Sequence, residues 1–114
     1  MPGDVKRGEI YWVDWNPARG SEQRGMRPAL VIQNDIGNKY GTTIIAACST
    51  APEKSYPFVV QLLEGEGGLP KQGSVNLSRI LTVDVSRLLD KIGELGEDRM
   101  AEVDKAIKIS LSLE

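Results

Sequence analysis

Pro28-Ala-Leu-Val-Ile-Gln33 and Thr42-Thr-Ile-Ile-Ala-Ala-Cys-Ser-Thr50 are two apolar, β-branched runs separated by the turn-formers Asn34-Asp35 and Gly37-Asn38. Runs of that length and composition predict adjacent, largely buried strands, and Pro52 ends the second. Upstream, Glu9-Ile-Tyr-Trp-Val-Asp-Trp15 predicts another strand, which stops at Asn16-Pro17 because proline has no N–H to pair. The intervening Ala18-Arg-Gly-Ser-Glu-Gln-Arg-Gly-Met26 is polar and carries two glycines, as expected of a long exposed loop. Downstream come Pro57-Phe-Val-Val-Gln-Leu62, a glycine-rich turn through Gly65, Gly67 and Gly68, then Gly73-Ser-Val-Asn-Leu77 and Ile80-Leu-Thr-Val83. Short strands in series predict a small β-barrel. One helix is expected, from about Glu97 to Leu113, with Met100, Val103, Ile107 and Leu111 as its apolar stripe. Acidic residues crowd its start and lysines its end, in keeping with the helix dipole. Ile109 and Leu113 fall on the opposite side, where a dimer would bury them or water would simply tolerate them. The fold class is thus mainly β with helices (α+β).

The chain has 114 residues, 40% hydrophobic and 26% charged, which predicts one globular domain spanning 1–114. It contains no histidine and a single cysteine, Cys48. Serine–histidine and cysteine–histidine nucleophiles and two-histidine ribonuclease chemistry are therefore excluded, as are nearly all zinc sites. Cys48 reads as a small buried hydrophobe. No signal-peptide pattern and no apolar run near ~20 residues is present, so a cytoplasmic protein without membrane contact is expected. The net charge is −2, but residues 1–60 carry seven basic groups against six acidic, and residues 61–114 seven against ten. Arg19, Arg24 and Arg27 are opposed within their segment only by Glu22, so that segment suits a phosphate. The glycines of the 65–68 turn lack the strand–helix context of a phosphate-binding loop and read as a flexible hairpin connection, so no nucleotide cofactor is implied.

Lys6-Arg-Gly-Glu-Ile-Tyr-Trp-Val13, Gly20-Ser-Glu-Gln23, Arg27-Pro-Ala-Leu-Val-Ile-Gln-Asn-Asp35 and Arg87-Leu-Leu-Asp-Lys-Ile-Gly93 together resemble the MazF/PemK/Kid toxins of bacterial toxin–antitoxin systems. The match in order and spacing runs from about Val5 to the terminal helix. The resemblance implies an SH3-like β-barrel with a C-terminal helix and a homodimer. It also implies a metal-independent endoribonuclease that cuts single-stranded RNA at a short sequence, and a MazE-like antitoxin as partner. Arg27 matches the family's catalytic arginine and Thr50 its catalytic threonine. Ser21, Glu22, Gln23 and Arg24 are expected to contact substrate, and so is Arg79.

Elementary chemistry makes those roles sensible. Cleaving RNA without a metal requires a base for the 2′-hydroxyl, a stabiliser for charge on the phosphoryl oxygens and an acid for the departing 5′-oxygen. A guanidinium offers several donors and stays protonated, which suits the second task, and a threonine hydroxyl can donate beside it. Arginine is a poor base at neutral pH; Glu22 is the nearest carboxylate in sequence, and it serves equally well to orient Arg24 or Arg27. Tyr11, Trp12 and Trp15 read more readily as core than as stacking platforms.

The chain departs from the family at one place. Where many members carry an acidic residue and glutamine, then a basic residue two positions on, this sequence reads Ser78-Arg79-Ile80-Leu81. Base preference is therefore expected to differ. Two other readings stand beside the nuclease: a CcdB-like DNA gyrase poison acting through its terminal helix, and a degenerate toxin that only binds antitoxin.

Overall fold

The computed structural model describes residues 4–15, 25–50 and 54–113. The two apolar runs become β2 (Met26–Val31) and β3 (Thr42–Ser49), paired antiparallel with Ala29 opposite Ala47 and Val31 opposite Ile45. β2 begins earlier than the apolar run because β1 (Glu9–Asp14) extends the ladder to an Asp14–Met26 pair. It also ends earlier, because the N–H groups of Ile32 and Gln33 both turn onto the Ile44 carbonyl. β4 (Val59–Leu62) starts two residues after Pro57, where the Val59 N–H closes a turn onto the Tyr56 carbonyl.

Two stretches differ from expectation. Gly73–Leu77 and Ile80–Val83 are not separate strands but one, β5 (Gly73–Asp84), interrupted by a bulge. β6 (Leu88–Glu94) escaped notice as a strand because its sequence, Leu-Leu-Asp-Lys-Ile-Gly-Glu, does not alternate cleanly. It lies at a sheet edge, where only β1 needs its backbone and most of its side chains meet water.

The six strands form one antiparallel sheet in the order β4-β5-β3-β2-β1-β6, followed by α1 (Glu97–Ser110). Residues two apart along a strand share a face, so the sheet has two apolar sides. Ile10, Leu30, Ala46, Cys48, Val60 and Leu77 pack with Val103 and Ala106 of α1. Val13, Ala29, Val31, Ile45, Val83 and Leu88 form a second cluster on the other face. The helix ends three residues sooner than its apolar pattern: Ser112 adopts φ 59 and the Leu113 N–H returns to the Lys108 carbonyl, a left-handed closure. Leu111 consequently leaves the stripe and is 49% exposed, and Ala106 takes the buried place beside Val103.

The glycine-rich turn between β4 and β5 reaches across to the opposite edge strand, β6. It is not a loose connection: Gly65, Gly67 and Gly68 all have positive φ, and the turn packs on β6. A β-carbon on Gly68 would collide with the Ile92 carbonyl, and one on Gly93 with the Gly67 carbonyl. Glycine is required there because backbone meets backbone. Arg99 of α1 clamps the same turn, donating to Glu66 from Nε at 2.7 Å and from Nη2 at 2.9 Å. That pairing holds the Glu66 carboxyl below its usual pKa.

Glu9 is a charged residue in the sheet interior, 6% exposed. Burial alone would raise its pKa, but Lys91 at 2.8 Å, the Lys6 N–H at 2.7 Å and the Tyr11 hydroxyl at 2.9 Å together hold it below the usual value. Tyr11 is pushed up by burial and by that carboxylate. A buried charge is tolerable only with this degree of pairing.

Candidate active site

Arg27 is the second residue of β2, exposed, and opposite Val13. It shares a face with Ala29 and Val31, the face turned away from α1. Pro28, opposite Trp12, is buried and fixes the backbone just after it. Thr50 follows the last residue of β3 and is half-buried. Because β2 and β3 are antiparallel, the start of one lies beside the end of the other. Their ladder runs from Val31–Ile45 to Ala29–Ala47, so Arg27 and Thr50 both lie beyond the same end of it. Residues distant in sequence thus come to the same end of the sheet.

The same end carries the base of the segment between β1 and β2. The Trp15 N–H donates to the Gly25 carbonyl at 3.0 Å, closing the mouth of that connection. Arg87, at the start of β6, donates through Nη2 to the Asp14 carbonyl at 2.6 Å and ties a third strand to this corner. Its contribution was visible in the sequence only as part of the resemblance, since an arginine after a polar stretch carries no local signal. The Trp15 indole Nε1 is buried with no hydrogen-bond partner among the described residues, while its ring packs on the second apolar cluster. Tyr11 is core, as expected, and Trp12 and Trp15 are partly covered. Ser21, Glu22, Gln23 and Arg24 lie outside the described residues.

Arg79 is exposed in the bulge of β5, two strands from Arg27 and nearer the middle of the sheet. It therefore stands apart from the Arg27–Thr50 corner, on the order of 12 Å away by strand spacing and rise. Cys48 is buried among apolar side chains, and burial pushes its thiol up to about 12. It has no nucleophilic character at neutral pH. Among the described residues, no three His, Cys, Asp or Glu side chains come together in a group able to hold a metal. No helix of the described residues is long and apolar enough to cross a membrane. Two clefts of about 450 and 480 Å³ flank α1, and neither is lined by Arg27, Thr50 or Arg79.

Comparison with known proteins agrees with this fold. Residues 6–111 match the family model described as PemK-like, MazF-like toxin of type II toxin-antitoxin system. The chain is 44% identical over 111 residues to Endoribonuclease EndoA of Bacillus subtilis (strain 168), covering 96% of each protein. Its fold superposes on the crystal structure of MazF from Deinococcus radiodurans with a TM-score of 0.80 at 29% identity, covering 97% of this chain and 99% of that one. A MazE-MazF crystal structure from the same organism aligns with a TM-score of 0.76 at 27% identity, over 96% of this chain and 98% of the matched one. With sequence and strand order in agreement, the chain belongs to the PemK-like, MazF-like toxins of type II toxin–antitoxin systems.

Proposed function

We propose that this toxin is a sequence-specific endoribonuclease that cuts single-stranded RNA, messenger RNA included, without a metal and thereby blocks translation. The observation that carries this reading is that Arg27 and Thr50 both lie beyond the Ala29–Ala47 rung, at the same end of the β2–β3 pair. In the reaction the 2′-oxygen attacks the neighbouring phosphorus as its proton passes to a base. The bond to the 5′-oxygen breaks, and that oxygen takes up a proton. A 2′,3′-cyclic phosphate and a 5′-hydroxyl result. Arg27 neutralises the charge that gathers on the phosphoryl oxygens, and the Thr50 hydroxyl donates to one of them. Ser21, Glu22, Gln23 and Arg24 approach the substrate from the connection between β1 and β2, and Arg79 contacts it from β5. The base is left unassigned.

In this reading an antitoxin covers the arginines with an acidic segment and so competes with RNA. The toxin acts in the cytoplasm as a homodimer. Ile109, Leu111 and Leu113 emerge at the end of α1, which Ser110 ties to the Leu77 carbonyl at 3.0 Å. Ile80 and Leu81 are exposed just beyond, where β4 no longer pairs with β5. That apolar patch suits a second copy.

Incubating the protein and Arg27→Ala with a long unstructured RNA in excess chelator tests the nuclease directly. Discrete cuts by the wild type alone are expected, with ends mapped by primer extension. No cuts by either protein, with both folded, would overturn the reading in favour of a gyrase poison or a toxin that only binds antitoxin.

A further inference from the structure

The bulge in β5 is built by a side chain. Asn76 pairs opposite Ala47, yet the next paired residue of β5, Ile80, stands opposite Ala46, so Leu77, Ser78 and Arg79 are inserted between neighbouring residues of β3. Asn76 is 6% exposed, and its Oδ1 accepts from the Ser78 N–H at 2.9 Å and from the Ser78 Oγ at 2.5 Å. Two backbone bonds pin the inserted Leu77: its N–H donates to the Phe58 carbonyl at 2.8 Å and its carbonyl accepts from Ser110 Oγ at 3.0 Å. The residue that emerges from this scaffold is Arg79, exposed. Bulges re-aim a side chain, and an asparagine that accepts from the residue two places on is a local device for holding one. An arginine on a free strand would sweep a wide arc; one anchored at its backbone presents its fork to a narrower set of base edges.

We propose that Asn76 is a positioning residue for base selection: its buried amide oxygen, by fixing Ser78, sets the bulge from which Arg79 meets the RNA. This rests on the nuclease reading above. The test compares cleavage of a randomised single-stranded RNA pool by the wild type, Asn76→Ala, Asn76→Asp, Arg79→Ala and the Asn76→Ala/Arg79→Ala double variant. Arg79→Ala is expected to lose a preference of roughly tenfold at one position near the cut, the scale of a well-formed arginine–base contact. Asn76→Ala is expected to lose that same preference while still cutting, Asn76→Asp to keep most of it, and the double variant to match Arg79→Ala alone. An Asn76→Ala profile equal to wild type, or an equal slowing at every site, would overturn the proposal. A wild type that cuts no RNA would instead sink the nuclease reading. The bulge device has its own measurement in hydrogen exchange at the Ser78 amide. Faster exchange in Asn76→Ala but not in Asn76→Asp supports it, and equal exchange in all three proteins refutes it.

Discussion

At the scale of single residues, Arg27 and Thr50 owe their proposed chemistry to two backbone facts: Pro28 behind one, and the end of β3 before the other. Replacing either by alanine is expected to slow RNA cleavage on the order of 10²-fold or more, with unchanged circular dichroism, because one preorganised donor to the developing charge is lost. Arg27→Lys should recover little, since an ammonium cannot reproduce the planar fork. Cys48 belongs to the opposite category. With its thiol pushed up to about 12 and no surface, it should react with a thiol reagent only when the protein is unfolded. A fast reaction in native buffer would refute that assignment.

At the scale of elements, the connection between β4 and β5 shows how composition can mislead. Three glycines in four residues read as slack, but at Gly67 and Gly68 this turn lies against β6 at backbone distance. Gly68→Ala is expected to cost about 1–3 kcal/mol, from positive φ together with the collision at Ile92. Thermal melting would register it as a drop of several degrees for a domain of this size. Gly25→Ala has comparable φ strain but no described atom within 4 Å of the β-carbon, so it should cost less. β6 is the complementary case, an edge strand of mixed polarity whose existence depends on β1 supplying the ladder.

At the scale of the whole molecule, two electrostatic properties follow. The Glu9 carboxylate has a lower pKa folded than unfolded, so its contribution to stability is present above the ordinary glutamate value of about 4.3 and is lost as pH falls through the lower native value. Glu66, held down by Arg99, acts in the same direction. Glu9→Ala should therefore flatten the acid limb of the stability profile. It should also destabilise by about 1–3 kcal/mol near neutrality by leaving the Tyr11 hydroxyl buried without its acceptor. Equilibrium denaturation across pH checks both. RNA binding should weaken steeply with salt. If Arg24, Arg27 and Arg79 each meet a phosphate, the log–log slope should be roughly −2, and removal of any one should reduce it by about 0.7. A slope near zero would show that the contact set is wrong. Self-association belongs to this scale too: Leu113→Asp should shift the sedimentation of a dimer toward the monomer if the apolar patch at the end of α1 is the contact.

The sequence by itself determined the strands whose apolar runs are unambiguous, β1 to β4, and a helix beginning at Glu97, because hydrophobic period and turn residues act locally. It also determined, through the blocks around Arg27 and Arg87, which family the chain belongs to. Four features required the tertiary structure. β5 is one strand because the Asn76 side chain bridges the break that its sequence shows. β6 is a strand because β1 lies beside it, and the glycine turn is rigidly placed because β6 lies beneath it. Glu9 is buried because Lys91 reaches it from a neighbouring strand, a pairing separated by most of the chain. That Arg27 and Thr50 come to the same end of the sheet is likewise a product of strand register: twenty-three positions apart in sequence, they share that end because β2 and β3 run antiparallel with Ala29 opposite Ala47. Local propensity acts over a few residues, whereas register is set by how whole faces are buried, and the proposed chemistry depends on register.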